Sequence, residues 1–318
     1  MSALETIASV EGLRDYLGAV EDRLESVVAA HPGTVAAVGA DALAAGGKRL
    51  RPTLTFLSSP VGAEPPVVEG VAVELVHMAT LLHDDIVDGA HVRRGRAAAW
   101  TQHGSDAAKA AGDHLFAAAF ALLAATGSQE LVTALADASL ALARGEAMQR
   151  LQRHEPSTSV DAYLERCALK TGLLFATACA LGARFGGVPT AALPAVRTYG
   201  HDLGLAFQIA DDVLDCAGSM ESTGKPIGTD LLDGTASLPL IYAARVDASV
   251  AQAIAEKPAP DEVLGLLARV TECGALAEAR AVAHDCARRA EAALDDLDEH
   301  LDTRPLRAVV RGVVDREA

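Results

Sequence analysis

The stretch VVEGVAVELVHMATLLHDDIVD, residues 67–88, determines the fold class that the sequence indicates. It is predominantly apolar, it contains no proline, and it is followed at once by Gly89, a residue type that commonly ends helices. We therefore predict one long helix over residues 67–88, with a cluster of aspartates in its last turn. A helix that is apolar over most of its length belongs in a protein core.

The rest of the chain has the same character. Half of the residues are hydrophobic, only 3% are aromatic, and alanine, the best helix former, dominates the apolar set. Short breaks with Gly or Pro separate the predicted helices, and no period-2 alternation or βαβ rhythm interrupts them. The prediction is an all-α protein with a single domain over 1–318. Its one long irregular stretch, 218–237, is a candidate functional loop.

Charge and composition exclude several classes of function. The formal net charge of −16 argues against nucleic acid as a partner, because a phosphate backbone requires a surplus of Lys and Arg on one face. The N-terminus has no basic patch ahead of an apolar run, and the longest apolar runs, such as 115–125, are shorter than a membrane span. The five cysteines form no CxxC pair and are typical of small buried thiols in a reducing compartment. We expect a cytoplasmic protein without a transmembrane segment.

Two matching aspartate motifs are the clearest chemical signal. Residues 84–88 read DDIVD and residues 211–215 read DDVLD, and each motif follows an apolar helical run. On a helix, the first and last aspartates of such a motif share one face and the middle one flanks it. Carboxylates gathered at a helix C-terminus repel one another unless cations neutralise them, and hard oxygen ligands favour Mg²⁺ together with substrate phosphates. By contrast, the acidic run at 295–299 has no basic motif nearby and is interpreted as solvated surface.

Basic residues complete the pattern. They occur in four places, which are the segment GGKRLRP at 46–52, the pair Arg93 and Arg94 after the first motif, Lys170 beside Thr171 in an otherwise apolar helix, and Lys225 in the long loop. Guanidinium groups make forked contacts with phosphates, and ammonium groups supply point charges. The aspartates and the cations together suit two diphosphates, one bridged by Mg²⁺ and the other held by side chains alone.

In order and spacing, these segments resemble the trans-isoprenyl diphosphate synthases, the polyprenyl synthetase family, over nearly the whole chain. The motifs are GGKRLRP (46–52), LLHDDIVDGAHVRRG (81–95), GD-x-L (112–115), GE-x-x-Q (145–149), KTG (170–172), FQIADDVLD (207–215) and GKPIGTDL (224–231). The resemblance implies a helical bundle of the isoprenoid synthase type around a central cavity, and a homodimer. It also implies a head-to-tail (1′-4) condensation of isopentenyl diphosphate with an allylic diphosphate.

The same resemblance implies roles for individual residues. Three Mg²⁺ ions would bridge the allylic diphosphate to Asp84, Asp85, Asp88 and Asp211, with Asp212 and Asp215 close by. The allylic diphosphate would also be held by Arg93, Lys170 and Lys225, with Thr171 and Gln208 beside it. Isopentenyl diphosphate would be held by Lys48, Arg51, His77 and Arg94, with Phe207 as a wall for its hydrocarbon part.

One position departs from the family pattern. The family often has Gly-Lys after the acidic residue that follows GxDL, whereas Gly234 and Thr235 follow Asp233 in this chain. A cation near the allylic diphosphate is therefore missing. We expect either a weaker affinity for the diphosphate or another cation in its place.

The implied reaction needs an active-site cavity that is polar at one end and excludes water at the other. Cations stabilise the departing diphosphate, on which negative charge develops, and apolar walls keep water from quenching the allylic cation. No general base stands out in the sequence, so the leaving diphosphate is the expected proton acceptor.

Product length is expected to depend on the helix that precedes Asp84. In the family, an aromatic residue at the Ala79 position stops chain growth early, and Ala79 is small. The candidate chain-length residues are Val76, Met78 and Ala79. The product cavity could instead be closed farther from Asp84, by Phe116, Phe120 or Met148. The expected product has at least twenty carbons, with longer polyprenyl products preferred.

Three other functions were weighed against chain elongation. An HD-type phosphohydrolase would use the His-Asp pairs at 83–84, 201–202 and 284–285, but it needs further metal-binding histidines and leaves the second aspartate motif unexplained. A class I terpene cyclase needs a dissimilar second metal motif and no site for isopentenyl diphosphate. A non-catalytic partner subunit of a heteromeric prenyl synthase should lose aspartates, yet all six are intact.

Overall fold

The computed structural model describes residues 2–93, 95–217 and 227–315. Its regular structure is almost entirely helical, which confirms the all-α prediction. In chain order the α-helices are α1 (Ala3–Ala8), α2 (Leu13–Ala29), α3 (Thr34–Ala44), α4 (Leu50–Leu57), α5 (Val67–Val87), α6 (Ala99–His103), α7 (Ser105–Ala125), α8 (Gln129–Gln152), α9 (Val160–Cys167), α10 (Leu173–Phe185), α11 (Leu193–Ala217), α12 (Thr229–Asp233), α13 (Leu238–Ala244), α14 (Ala248–Glu256), α15 (Val263–Glu272), α16 (Ala275–Ala293) and α17 (Thr303–Val314).

The chain divides into two compact units. The first unit comprises Met1–Ser139, Thr177–Arg197 and Asp296–Leu306, and the second comprises Leu140–Ala176, Thr198–Asp295 and Arg307–Ala318. Each contains fully buried apolar side chains, such as Leu54 and Leu75 in the first unit and Leu203 and Ile209 in the second. The single domain over 1–318 stays a prediction.

Helix α5 organises the core of the first unit and positions the first aspartate motif. It packs against α2, α4 and α7, and it matches the helix predicted over 67–88, with Asp88 as its C-cap. Gly70 is required by the approach of α2, because a Cβ at this position would lie 2.0 Å from the hydroxyl oxygen of Tyr16. Fully buried side chains such as Val71 and Leu75 fix α5 in place, and so fix where its last turn lies.

A short hairpin follows α5. Strands β1 (Val92–Arg93) and β2 (Arg96–Ala97) pair antiparallel, with Val92 opposite Ala97 and Arg93 opposite Arg96. The sequence-based expectation of no strands is therefore wrong at this place, because two residues are too few to produce a period-2 pattern. The hairpin matters for the site, since it turns Arg93 back toward α5.

In the second unit, a π-helical turn, Ala168–Gly172, joins α9 to α10. Glycines from two other helices pack closely against this turn. A Cβ on Gly145 of α8 would lie 2.7 Å from the backbone nitrogen of Lys170, and a Cβ on Gly204 of α11 would lie 2.8 Å from the Cα of Gly172. π-Helical turns are rare and often occur at functional sites.

Two helical spans, Ser105–Ala125 and Val160–Phe185, are long and apolar enough to cross a membrane by length and composition alone. The run 115–125 is thus the second half of a longer helix, which also carries Asp106, Lys109 and Asp113. Core helices satisfy the same test, and in Val160–Phe185 67% of the apolar window is buried. The absence of a transmembrane segment and the cytoplasmic location stay predictions.

The cysteines are free thiols, of which only Cys273 is exposed. Burial raises the pKa of Cys167 and of Cys179 to about 12, so both remain protonated at neutral pH. This fits the expectation of small buried thiols for every cysteine except Cys273.

Candidate active site

The first aspartate motif occupies the last turn of α5 in the first unit. Asp84 and Asp88 are half-buried and one turn apart, so they share a face of the helix. Asp85, the middle aspartate, is only 4% exposed, and its Oδ1 accepts an N–H from Arg93 Nε at 2.8 Å and another from Arg93 Nη2. The middle aspartate is therefore engaged in orienting Arg93, the arginine predicted to hold the allylic diphosphate.

A cavity of about 70 Å³ lies beside this motif. Its polar wall includes Arg49, Glu74, His77, Asp85 and Arg93. Its apolar wall comes from Met78, Leu81 and Leu82 of α5, from Ala97 in β2, and from Ala98 and Ala99 after the hairpin. Two predicted substrate-binding residues, His77 and Arg93, thus share one cavity, while Lys48 and Arg51 are not among its lining residues. Arg94 lies outside the described residues.

Arg49, in the middle of the GGKRLRP segment, is an anchor that the sequence did not identify. Its guanidinium is 8% exposed and lies 2.5 Å from Glu21 Oε1 and 3.1 Å from Glu74 Oε1. Its backbone is left-handed, with φ of 46°. The buried ion pairs hold the chain in this conformation between Lys48, which is exposed, and Arg51, which is half-buried.

The second aspartate motif lies at residues 211–215 of α11, in the second unit. Asp211 is exposed, whereas Asp212 is 7% exposed and accepts hydrogen bonds from Tyr163 Oη at 2.7 Å and Gln208 Nε2 at 2.9 Å. Asp215 accepts the backbone N–H groups of Thr229 and Asp230 at 3.2 Å and 3.0 Å. The motif is therefore tied both to α9 and to the GTDL turn.

Asp230 of the GTDL turn adds a fourth carboxylate to the three of the second motif. It lies within the GKPIGTDL segment, but the sequence did not predict it as a site residue. Burial raises the pKa of Asp212 to about 6, although its hydrogen bonds oppose the shift. Desolvation, and then the charges of Asp215 and Asp212, raise the pKa of Asp230 well above its ordinary value. Cations that arrive with a diphosphate would relieve the mutual repulsion of these carboxylates.

These donor sets fit Mg²⁺ better than a metal held by protein alone. Within residues 2–93, 95–217 and 227–315, no three His, Cys, Asp or Glu side chains are gathered closely enough to hold an ion. Mg²⁺ usually takes one or two carboxylates and completes its octahedron with water and substrate phosphate oxygens. The oxygen-only aspartate motifs match that requirement.

Lys170 and Thr171 lie in the π-helical turn of the second unit. Lys170 Nζ lies 2.5 Å from Glu146 Oε1 and donates to Gln149 Oε1 at 3.1 Å. Thr171 Oγ1 donates to Gln208 Oε1 at 3.0 Å. Glu146 and Gln149 were missed as site residues, although their i,i+3 spacing within GE-x-x-Q was a usable signal.

The remaining predicted residues fall in varied surroundings. Phe207 is half-buried and stacks at a tilt on Phe175, with ring centroids 5.4 Å apart. Lys225 lies outside the described residues. Val76 and Ala79 are fully buried in α5, and Met78 is 3% exposed.

The turn that carries Thr235 in place of the usual Lys is flanked by two arginines. Arg153 Nε donates to the backbone oxygen of Asp233 at 2.9 Å, and Arg166 Nη2 donates to that of Ala236 at 2.9 Å. Arg166 is 4% exposed, so its charge acts on the neighbouring carboxylates and not on a ligand in solvent.

Comparison with known proteins agrees with this geometry. The family model described as Polyprenyl synthetase matches residues 34–266. Heptaprenyl diphosphate synthase component 2 from Geobacillus stearothermophilus is 38% identical over 75% of this chain and 77% of its own length. Nonaprenyl diphosphate synthase from Mycobacterium tuberculosis is 36% identical over 86% of this chain and 84% of its own length.

Solved structures agree as well. The polyprenyl synthase from Caulobacter crescentus CB15, crystallised with calcium and isoprenyl diphosphate, superposes with a TM-score of 0.88 at 35% identity, covering 100% of this chain and 98% of that one. A decaprenyl diphosphate synthase from Rhodobacter capsulatus superposes with a TM-score of 0.86 at 33% identity, covering 96% of each chain. The chain therefore belongs to the polyprenyl synthetase family.

Proposed function

We propose that this protein is a prenyltransferase that catalyses the Mg²⁺-dependent head-to-tail (1′-4) condensation of isopentenyl diphosphate with an allylic diphosphate, giving trans-polyprenyl diphosphates of at least twenty carbons. The observation that carries the proposal is the pair of intact aspartate motifs, each toward the C-terminal end of a long helix and each with its middle aspartate buried and hydrogen-bonded. Two motifs of this kind are what a diphosphate bridged by several cations requires.

The aspartates would hold Mg²⁺, and the number of ions is proposed to be three. Asp84 and Asp88 would serve from the first motif, and Asp211 and Asp215 from the second, while Asp85 and Asp212 act through their hydrogen-bond partners. When bound, the ions supply positive charge where the departing diphosphate becomes more negative.

The protein's own cations would position the two substrates. Arg93 and Lys170 would bind the allylic diphosphate once it competes with Asp85 and Glu146 for their N–H groups. Lys48, Arg51 and His77 would hold isopentenyl diphosphate, whose double bond attacks the allylic carbon as the carbon–oxygen bond breaks. A proton then leaves the new chain, and the released diphosphate is its acceptor.

Product length is proposed to be set along α5. Ala79 contributes only a methyl group at a fully buried position, so no aromatic ring is present there to stop a growing chain. The related heptaprenyl and nonaprenyl diphosphate synthases support a product longer than twenty carbons.

A homodimer is proposed as the assembly. On α8, Leu140 and Leu151 are 65% and 82% exposed, and Ala143 and Ala147 between them are exposed too. Their spacing aligns them along one face of the helix, and an apolar stripe of this kind is suited to a protein interface. A related protein is named as one component of a synthase, so a heteromer is the alternative assembly.

The test is an elongation assay with the purified chain. The protein is incubated with Mg²⁺, isopentenyl diphosphate and separate allylic primers, and the dephosphorylated products are resolved by length, with Asp84→Asn as an inactive control. A ladder ending at one dominant length is expected. A cyclic hydrocarbon would indicate a terpene cyclase, and activity that appears only with a second protein would indicate a partner subunit.

A further inference from the structure

Tyr163 is a fully buried tyrosine whose hydroxyl points at the second aspartate motif. It lies on α9, has 0% exposure, and donates a hydrogen bond of 2.7 Å to Asp212 Oδ2. A buried tyrosine hydroxyl usually finds a partner, and most side-chain hydrogen bonds are made to the backbone or to water and not to another side chain. Here the acceptor is a carboxylate, and the charges of Asp211, Asp212 and Asp215 act on one another or on Asp230 nearby.

The contact belongs to a directed chain of hydrogen bonds. Thr171 donates to Gln208 at 3.0 Å, Gln208 donates to Asp212 Oδ1 at 2.9 Å, and Tyr163 donates to the other oxygen, Oδ2. Because a carboxylate can only accept, the amide nitrogen of Gln208 must face Asp212, and its oxygen must face Thr171. The orientation of Gln208 and the hydroxyl proton of Thr171 are thus both set by Asp212.

Both oxygens of Asp212 accept from side chains, those of Gln208 and Tyr163, whereas the oxygens of Asp215 accept from backbone N–H groups. Asp211 precedes it on the exposed side of α11, and Asp215 lies one turn from Asp211 on the same face. The groups that face Tyr163 and Asp212 from adjacent segments are Gln208, Cys167 and the guanidinium of Arg166, which lies 5.2 Å from the Tyr163 ring centroid. The buried Cys167 thiol also lies within hydrogen-bonding reach of the Tyr163 hydroxyl, and it is a weaker acceptor than the Asp212 carboxylate.

We propose that Tyr163 is a positioning residue for the metal-binding face of the second aspartate motif. By holding Asp212 inward as a double acceptor, it fixes residues 211–215 of α11 so that Asp211 and Asp215 are presented together to the cations. This inference rests on the proposed function, because it assigns Tyr163 a part in the same diphosphate site. Outer-shell partners of this kind typically change metal affinity or activity by about 10- to 100-fold.

The test is Tyr163→Phe in the full-length chain, with Tyr16→Phe as a matched control. Both variants remove a buried tyrosine hydroxyl, but Tyr16 donates to the backbone oxygen of Pro52, at 3.1 Å in the first unit. Binding of inorganic pyrophosphate is measured by calorimetry as Mg²⁺ is titrated, and Tm is recorded alongside. We expect Tyr163→Phe to raise the Mg²⁺ concentration for half-maximal binding by about tenfold, and Tyr16→Phe to lower Tm without that change.

If Tyr163→Phe lowers Tm yet binds pyrophosphate with the wild-type Mg²⁺ dependence, the hydroxyl is merely structural and the proposal is overturned. A second comparison keeps the test independent of how Tyr163→Phe folds. Asp212→Ala removes the acceptor of the Tyr163 hydroxyl, so Tyr163→Phe should shift the Mg²⁺ dependence by about tenfold in the wild-type background and not in the Asp212→Ala background. Shifts that simply add in the double variant would contradict the assignment. Pyrophosphate binding does not require condensation, so a wild-type protein that binds but fails to elongate would reject the proposed function alone.

Discussion

Arg93 donates two N–H groups to a single oxygen of Asp85, the buried middle aspartate of the first motif. The pair joins the hairpin after α5 to the last turn of α5, within the first unit. Asp85 therefore orients Arg93, which is proposed to bind the allylic diphosphate, whereas Asp84 and Asp88 on the adjoining face are proposed to hold Mg²⁺.

Asp85→Asn should therefore act on the allylic substrate more than on the metal. The substitution keeps the side chain's size but removes the charge that holds Arg93. We expect KM for the allylic diphosphate to rise by about tenfold, with the Mg²⁺ concentration for half-maximal rate nearly unchanged. Steady-state kinetics at several Mg²⁺ concentrations measures both quantities. Asp84→Asn is the comparison, and a Mg²⁺ dependence altered equally in both variants would make Asp85 a metal ligand after all.

The buried ion pair between Arg49 and Glu74 predicts a coupled loss of stability and of substrate affinity. Glu74→Gln removes the negative charge of a carboxylate that is 3% exposed, so the buried Arg49 guanidinium loses an ionic partner. Breaking a buried ion pair in this way should lower the free energy of unfolding by about 3 kcal/mol. KM for isopentenyl diphosphate should rise as well, because Lys48 and Arg51 flank Arg49 in the chain. Urea unfolding and steady-state kinetics measure the two effects.

Glu21→Gln is the matched control for this pair. The Glu21 carboxylate also binds Arg49 but is 39% exposed, so its loss should cost about 1 kcal/mol or less. A cost as large for Glu21 as for Glu74 would show that burial does not set the strength of this network.

Close packing at Gly145 predicts a loss of activity from a very small substitution. In Gly145→Ala the new Cβ would lie 2.7 Å from the backbone nitrogen of Lys170, so the π-helical turn must shift. A displacement of this kind at a substrate-positioning group can cost about 100-fold in rate. The measurement is kcat/KM for the allylic substrate.

Gly18→Ala provides the control, because Gly18 lies within α2 with no atom within 4 Å of an added Cβ. Alanine in an open helical position should stabilise the protein by about 0.5–1 kcal/mol and leave kcat/KM unchanged. Wild-type activity in Gly145→Ala would mean that the π-helical turn tolerates movement.

The helices and the aspartate motifs could be predicted because periodicity and motif spacing are local properties of the chain. The partners of the middle aspartates could not. Tyr163 is 49 residues from Asp212, and Arg93 reaches Asp85 only through a hairpin too short to leave a pattern. The π-helical turn was equally invisible, because residues 160–185 read as one continuous helix and the extra residue arises where Gly145 and Gly204 pack against it.

The raised pKa of Asp212 predicts how the metal-free protein responds to pH. Its folded value is about 6, whereas an unfolded aspartate titrates near 3.9, so between these values the folded state binds more protons. Folding is then favoured at low pH, and stability falls as pH rises from about 4 to 6. We expect the Tm of Asp212→Asn to fall less than that of the wild type across this range. Parallel Tm curves for the two proteins would contradict the assignment, and Mg²⁺ with pyrophosphate should flatten the wild-type curve by favouring the ionised carboxylates.

Ala79→Tyr should shorten the products. Ala79 is fully buried in α5, about one turn before Asp84, and a tyrosine ring there would fill the space into which the hydrocarbon chain is proposed to grow. The added volume should also lower stability by about 1–3 kcal/mol, so folding is checked by Tm before products are compared. Chromatography of the dephosphorylated products measures their length, and Ala79→Ser, which barely changes the volume, is the control expected to keep the wild-type distribution. A folded Ala79→Tyr variant with unchanged products would show that other residues limit product length. Phe116 and Phe120 of α7 would then be the next positions to substitute.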